Sequence, residues 1–413
     1  MNNNIVGIVL AAGFGTLDNR RAKVIETLDA NGRIPIIKPV VELVTRLCGE
    51  TAIVVNHKYG GEVIDELSSF DLDVIYQVER SGTAGAVRAC LPMWEERLRA
   101  TEPLHALILY GDMPFWDVTS ISSLMEAHLS SGAVMSMFSV ALDSNGSDCP
   151  DMVKNFGRIL WDKNGNILGI KEPYEMTPED LNSTTHVNPS AWVINLKWFK
   201  EVYHRLSPHS KNDGFSHEYW LPDLVPLAHN DKHTITVLPL HNKSEAVGVN
   251  TYYELSAARS LFSEIQEQNS RILPYVPFDA QKYLGEGCFL RSGSILPRLT
   301  EVKIAEVQFK LYLDGYPRIL GLEVWEDILN NNDIPLDPGF ALGLLQEPSR
   351  PTLKLLERRG VTSISFFGQL IDGPLLGHPS VMVLQLHDAK WNFSPIPICL
   401  LWDRRDFAAV LEH

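Results

Sequence analysis

An α/β fold, a mostly parallel sheet with helices on both faces, is what residues 1–268 of this 413-residue chain predict. Three observations lead there. Short, nearly continuous apolar runs recur at 5–10, 52–55, 74–76, 106–110 and 134–140, as strands covered on both faces require. Between them, 40–47, 62–70, 83–94 and 118–129 carry apolar residues at helical spacing. The two patterns alternate, which is the order of a parallel sheet whose crossovers are helices.

Each later element follows in turn. From residue 157 the pattern becomes a hairpin, with strands at 158–161 and 167–170 around the turn Lys163-Asn164-Gly165-Asn166. A strand is predicted over 187–195, leading into a helix at 196–206. An exposed loop and a short helix fill 212–231, and a strand at 234–238 and a helix at 252–268 close the unit. Pro274 and Pro277 mark a linker. Residues 269–410 then read as a smaller α+β domain with short strands and one helix near 352–359, and 411–413 as the remnant of a tag. There is no internal repeat, and in particular no hexapeptide pattern of a left-handed β-helix.

Composition bounds the function. Apolar residues make up 45% and charged residues 21%, the balance of a globular protein with a core. No run approaches the roughly 18 apolar residues of a membrane helix, and the start Met1-Asn2-Asn3-Asn4 lacks the basic stretch of a signal peptide. The scattered cysteines (Cys48, Cys90, Cys149, Cys288, Cys399) form no CxxC pair, which points to a reducing, cytoplasmic setting. A formal charge of −15 argues against a nucleic-acid partner but not against a nucleotide, because local amides, a few cations and a metal hold phosphate on an acidic protein.

Sheets of this kind bind ligands at the carboxyl ends of their strands, and the informative residues lie there. Directly after the first strand comes Leu10-Ala11-Ala12-Gly13-Phe14-Gly15-Thr16, followed by Lys23. Its glycines and alanines let backbone N–H groups approach an anion. It is neither a Walker loop nor a dinucleotide fingerprint, since the Gly-Lys-Ser/Thr ending is absent and residue 18 is Asp. Asp112, in Tyr110-Gly111-Asp112-Met113-Pro114, offers a carboxylate suited to Mg²⁺, or caps a turn. Gln77 has an amide edge suited to a pyrimidine, with Gly82-Thr83 following; Thr83 reads equally as a helix cap. Asn250, in Val247-Gly248-Val249-Asn250, is a neutral metal ligand or a cap. Gly157, Glu172 and Asn188 are polar points near strand ends that suit sugar hydroxyls.

In this order the motifs, covering about residues 5–260, resemble the sugar-1-phosphate nucleotidyltransferases, and among them the uridylyltransferase domain of bacterial N-acetylglucosamine-1-phosphate uridylyltransferase. The resemblance implies a Rossmann-like fold of the nucleotide-diphospho-sugar transferase type. It makes Leu10, Ala11, Ala12, Gly13, Gly15, Thr16, Gln77, Gly82 and Thr83 nucleotide-binding, and Gly157, Glu172 and Asn188 sugar-binding. Asp112 and Asn250 become ligands of Mg²⁺, and Lys23 the lysine that ends the phosphate loop. Phe156-Gly157-Arg158-Ile159 and the stretch from Asn212 through Glu218-Tyr219 fit the same pattern. The implied partners are UTP and an N-acetylhexosamine 1-phosphate.

The sequence departs from the family at Leu17, where an arginine is expected, in a loop one residue short before Lys23, at Ala22, and after Asn188-Pro189. Arg20 or Arg21 is the expected replacement for the missing cation. A cytidylyl- or thymidylyltransferase on another phosphate, or a nucleotide-binding regulator without turnover, are the alternatives. Residues 269–410 offer an oligomerisation or protein-docking module.

Overall fold

The computed structural model describes residues 4–269 except 14, 18–20, 30, 78, 102, 143–150, 178–183 and 211–216. Beyond them it describes 289–290, 307–310, 318–320, 334–335, 338–346, 352–354, 363–372, 380–387, 390–397, 401–403 and 407–411. The chain divides into two compact units, residues 1–262 and 263–413.

In the first unit the central strands are β1 (Ile5–Ala11), β2 (Thr51–Asn56), β3 (Asp73–Gln77), β4 (His105–Tyr110) and β5 (Met135–Ala141). They are joined by β6 (Arg158–Trp161), β7 (Ile167–Lys171), β8 (His186–Val187) and β9 (Trp192–Asn195). A ribbon of β10 (His209–Ser210) and β11 (His217–Glu218) stands apart, and β12 (Ile235–Pro239) follows it. The sheet runs β3-β2-β1-β4-β9-β5-β8-β6-β7, with β12 beside β5. Strands β1 to β4 are parallel, and β9 is antiparallel to both β4 and β5.

Helices α1 (Ile37–Leu47), α2 (Gly60–Glu66), α3 (Gly82–Cys90), α4 (Glu95–Arg99), α5 (Val118–Ser131), α6 (Leu196–Val202), α7 (Leu224–Asn230) and α8 (Tyr252–Asn269) complete it. Alternate residues of β1 serve different cores. Ile5 and Val9 pack with Val41 and Val44 of α1 and Leu124 of α5. Val6 and Ile8 pack with Val87 of α3, Phe199 of α6 and Leu224 of α7. The sheet is thus covered on both faces, which is why its strands read as unbroken apolar runs. β1 lies between β2 and β4, so the strand order reverses there and leaves a crevice at the carboxyl ends.

One polar chain crosses the core. His128 of α5 is fully buried, with Nδ1 2.8 Å from Ser136 Oγ and Nε2 2.8 Å from His105 Nδ1. Burial, and then the neighbouring His105, pushes the His128 pKa down to about 3, and burial lowers that of His105.

One strand of the first unit differs from expectation. The strand predicted over 187–195 is broken into β8 and β9. Pro189 has no N–H for a ladder, and Ser190 takes a left-handed φ of 62°, so the chain turns between them.

In the second unit, β13 (Phe289–Leu290), β14 (Val307–Lys310), β15 (Arg318–Leu320) and β16 (Ile334–Pro335) precede α9 (Pro338–Gln346). Then come β17 (Ser363–Asp372), β18 (Ser380–His387), β19 (Lys390–Pro397), β20 (Leu401–Asp403) and β21 (Phe407–Leu411). The main sheet runs β14-β21-β17-β18-β19. Its long strands replace the short ones expected. The prolines that suggested loops, Pro395 and Pro397, sit on β19, which ends the row of strands and tolerates them. The sequence also passed over α9, whose two glycines lower helix propensity. Burial of Phe340, Ala341, Leu342 and Leu344 outweighs that cost. Residues 352–354 are helical, and 355–359 lie outside the described residues, as do His378, Asp388 and Cys399. Phe366 and Trp391 are buried as core residues. Among the described residues no helix is long and apolar enough to cross a membrane.

Candidate functional site

A cavity of about 530 Å³ opens at the strand-order reversal. Leu10, Ala11, Ala12, Gly13 and Gly15 of the loop after β1 line it, with Lys23, Asp112 and Tyr110. Gln77, Arg80, Gly82 and Thr83 come from the β3–α3 connection, and Glu218 and Trp220 from the segment starting at β11. Thr16 is half-buried in the same loop and is not part of this lining.

Backbone and buried amides fix the loop. Asn56, at the end of β2 and 1% exposed, donates through Nδ2 to Gly13 O at 2.9 Å, while its Oδ1 accepts from the N–H groups of Lys58 and Tyr59. Gly111 N–H bonds Leu10 O across the β1–β4 pair, and Lys23 N–H bonds Gly15 O at 3.2 Å. A methyl added to Gly13 meets nothing within 4 Å, so this edge of the loop faces open space.

Three residues distant in sequence converge. Lys23 Nζ lies 2.6 Å from Asp112 Oδ2 and donates to Asn250 Oδ1. The side chains of Lys23 and Asp112 are 14% and 21% exposed, so the charges meet in a partly dry corner. Val249 N–H bonds the backbone oxygen of Asp112 at 3.0 Å and holds the segment before α8 to the residues that follow β4. Asn250 is not the cap of α8. Thr251 Oγ1 accepts from Glu254 N–H, and Glu254 Oε2 accepts from the N–H groups of Asn250 and Thr251. The Asn250 side chain is left to face Lys23.

On the β3–α3 side, Gln77 Nε2 donates to Ser81 Oγ at 2.7 Å and to Gly82 O at 3.1 Å. A backbone oxygen only accepts, so the amide nitrogen must point inward. Gly82 has φ +75°, and a methyl there falls 2.4 Å from Tyr219 O, so no other residue fits. Ala84 N–H bonds Tyr219 O and Tyr219 N–H bonds Ser81 O, which ties this connection to the segment carrying Glu218 and Trp220. Thr83 caps no helix; its Oγ1 accepts from Leu221 N–H. Burial raises the Tyr110 hydroxyl to about 12.

Gly157, Glu172 and Asn188 meet one another but do not line the cavity. Asn188 N–H bonds Gly157 O at 2.9 Å, and a methyl on Gly157 falls 3.3 Å from Glu172 Oε1. They connect to it through a polar cluster. Asp223 Oδ2 lies 2.7 Å from His209 Nε2, and His209 stacks on Trp220 with centroids 3.7 Å apart. Trp220 Nε1 donates to Glu218 Oε2 at 3.2 Å. Burial, with Glu175 and Asp223 nearby, raises the Glu172 carboxyl above its ordinary range; burial also raises Asp223, although His209 opposes it.

Of the expected replacement cations, Arg21 is not gathered here. Arg20 lies outside the described residues. Arg21 turns away, donating to Ile25 O at 2.8 Å with Glu66 at 3.8 Å. Leu17 packs on an apolar cluster with Leu28, Ile36, Val249 and Leu255. Arg80, which the sequence reading overlooked, lines the cavity instead. Asn56 was overlooked as well. Its signal was its place at the end of a fully buried strand, the place Gln77 holds in β3.

Residues 7–144 match the family model of the MobA-like NTP transferase domain. The first unit is similar to the sugar-1-phosphate nucleotidyltransferases. The bifunctional protein GlmU of Exiguobacterium sibiricum is 27% identical over 294 residues, 71% of this chain and 61% of that protein. The bifunctional protein GlmU of a Psychrobacter species is 28% identical over 257 residues, 62% of this chain and 51% of that protein. The chain thus spans roughly half to two thirds of the length of these curated relatives. A solved CMP:2-keto-3-deoxy-manno-octonic acid synthetase complexed with CTP aligns with a TM-score of 0.44 at 13% identity, covering 64% of this chain and 100% of that one.

Proposed function

We propose that the first unit joins a nucleoside triphosphate to a sugar 1-phosphate, with UTP and an N-acetylhexosamine 1-phosphate as substrates. The observation that carries the reading is the convergence of Lys23, Asp112 and Asn250 beside a loop-lined cavity that also holds Gln77, Gly82 and Thr83. A phosphate oxygen of the sugar phosphate attacks the α-phosphorus, the bond to the bridging oxygen of the β-phosphate breaks, and pyrophosphate leaves with that electron pair. The nucleophile is already an anion, so the protein's contribution is positioning and charge neutralisation. The loop amides and Lys23 take the charge on the leaving pyrophosphate, and Arg80 adds a second cation. Gln77, with its nitrogen turned inward, presents an amide oxygen to the base.

The residues fit a magnesium ion. Among the described residues no group of three or more His, Cys, Asp or Glu forms a metal cage. Asp112 and Asn250 instead offer one carboxylate and one amide oxygen to a single cation, the Lys23 ammonium. So sparse a set suits Mg²⁺, which takes its other ligands from phosphate and water. When bound, it screens charge on the reacting phosphates.

A second reading, nucleotide binding without turnover, draws support from Leu17 packed into an apolar cluster and Arg21 turned away. A pyrophosphate-release assay with each of the four NTPs against a panel of sugar 1-phosphates decides between them. Release with UTP and an N-acetylhexosamine 1-phosphate supports the first reading. Release only with CTP or TTP redirects the base assignment, and nucleotide binding with no release selects the second.

A further inference from the structure

The geometry points to Lys23 as a built-in competitor of the divalent ion. In the free protein its ammonium occupies the two oxygens, on Asp112 and Asn250, that an incoming ion needs, and it leaves them when a triphosphate offers new partners. The inference rests on the nucleotidyltransferase reading above.

Lys23 Nζ lies 2.6 Å from Asp112 Oδ2 and donates to Asn250 Oδ1. An ion held by those same oxygens falls within the volume of the ammonium, and two cations in so sheltered a corner repel strongly. Occupation is therefore exclusive. The lysine is also built to move. Its backbone is fixed to the glycine loop through Gly15 O, while its head sits on a flexible four-carbon stem. That stem runs beside the loop, since a methyl on Gly15 falls 3.6 Å from Lys23 Cδ. Rotation of the side chain alone carries the ammonium from Asp112 toward an anion on the loop amides. The free protein should then take up divalent ions poorly, and the ion should enter together with the nucleotide that displaces the lysine.

The test is binding of Mn²⁺ to the full chain without nucleotide, with free Mn²⁺ read by its EPR signal, for wild type, Lys23→Met and the double variant Lys23→Met/Asp112→Asn. The expected result is Mn²⁺ bound by Lys23→Met about tenfold more tightly than by wild type, with the gain lost in the double variant. No gain in Lys23→Met, or a gain that survives Asp112→Asn, overturns the inference. Lys23→Gln serves if the methionine variant fails to melt cooperatively. Catalysis plays no part in this readout. A chain that releases no pyrophosphate yet gains Mn²⁺ affinity in Lys23→Met refutes the proposed function alone, and an active chain without the gain refutes only the inference.

Discussion

The two polar groups associated with the cavity are held by different means. Around Lys23, Asp112 and Asn250, backbone bonds (Val249 to Asp112, Lys23 to Gly15, Gly111 to Leu10) position the segments that carry them. Around Glu172, His209, Trp220 and Asp223, side chains hold one another by a 2.7 Å contact between His209 and Asp223 and a ring stack. The first arrangement has its backbone held by these bonds, while the Lys23 side chain stays free to rotate. The second depends on protonation, because two of its carboxyls are raised by burial. On the proposed function, charge chemistry common to any triphosphate would rest on the first group and contact with the variable substrate on the second.

Substitutions sharpen this contrast. Asp112→Ala should lower turnover about a hundred- to a thousandfold, or about 3–4 kcal/mol, as expected for a central charge-stabilising group. Near-normal pyrophosphate release by that variant breaks the comparison at its stronger side. Gly82→Ala must move Tyr219 and force a left-handed alanine, so it should cost about 1–3 kcal/mol of stability in denaturant titration and weaken nucleotide binding. Asn56→Ala leaves Gly13 O and two N–H groups without their partner and should cost about 1–3 kcal/mol. Because it loosens the loop, its effect should appear in nucleotide affinity more than in the sugar-phosphate KM. Glu172→Gln should do the reverse, raising the sugar-phosphate KM several-fold and flattening its pH dependence in the mildly acidic range; a change confined to nucleotide affinity refutes that assignment.

The buried His128–His105 pair gives a pH signature of the frame itself. Both folded pKa values lie below the unfolded value, so the unfolded state binds more protons at low pH. The contribution of His128 is complete above about pH 6.5 and is lost as pH falls toward 3, by about 1.4 kcal/mol per pH unit, and the lowered pKa of His105 acts in the same direction. Denaturant midpoints at pH 7 and pH 5 should show this fall for wild type and a smaller one for His128→Gln.

How much was legible in sequence follows from range. The apolar runs at 5–10 and 106–110 announced buried strands, because covering both faces leaves a pattern no neighbour can disguise. The glycine loop, Gln77 and Asp112 could be found because each follows such a run. Arg80 escaped notice because a single arginine in a loop carries no pattern, and Asn56 because a lone asparagine closing a strand also reads as a turn residue. Helix α9 escaped because burial, not propensity, makes Pro338–Gln346 helical.

By itself the sequence determined the alternation of strands and helices, and with it the edge of the sheet where ligands bind, since periodicity is a local property of the chain. Only the tertiary structure decided that Lys23 meets Asp112 and Asn250, that Arg21 turns to Ile25 and Glu66, and that Gly157, Glu172 and Asn188 meet beside the cavity rather than in its lining. Those contacts join residues up to 227 positions apart, and a side chain's direction at such range is set by the packing of whole strands rather than by its neighbours in the chain.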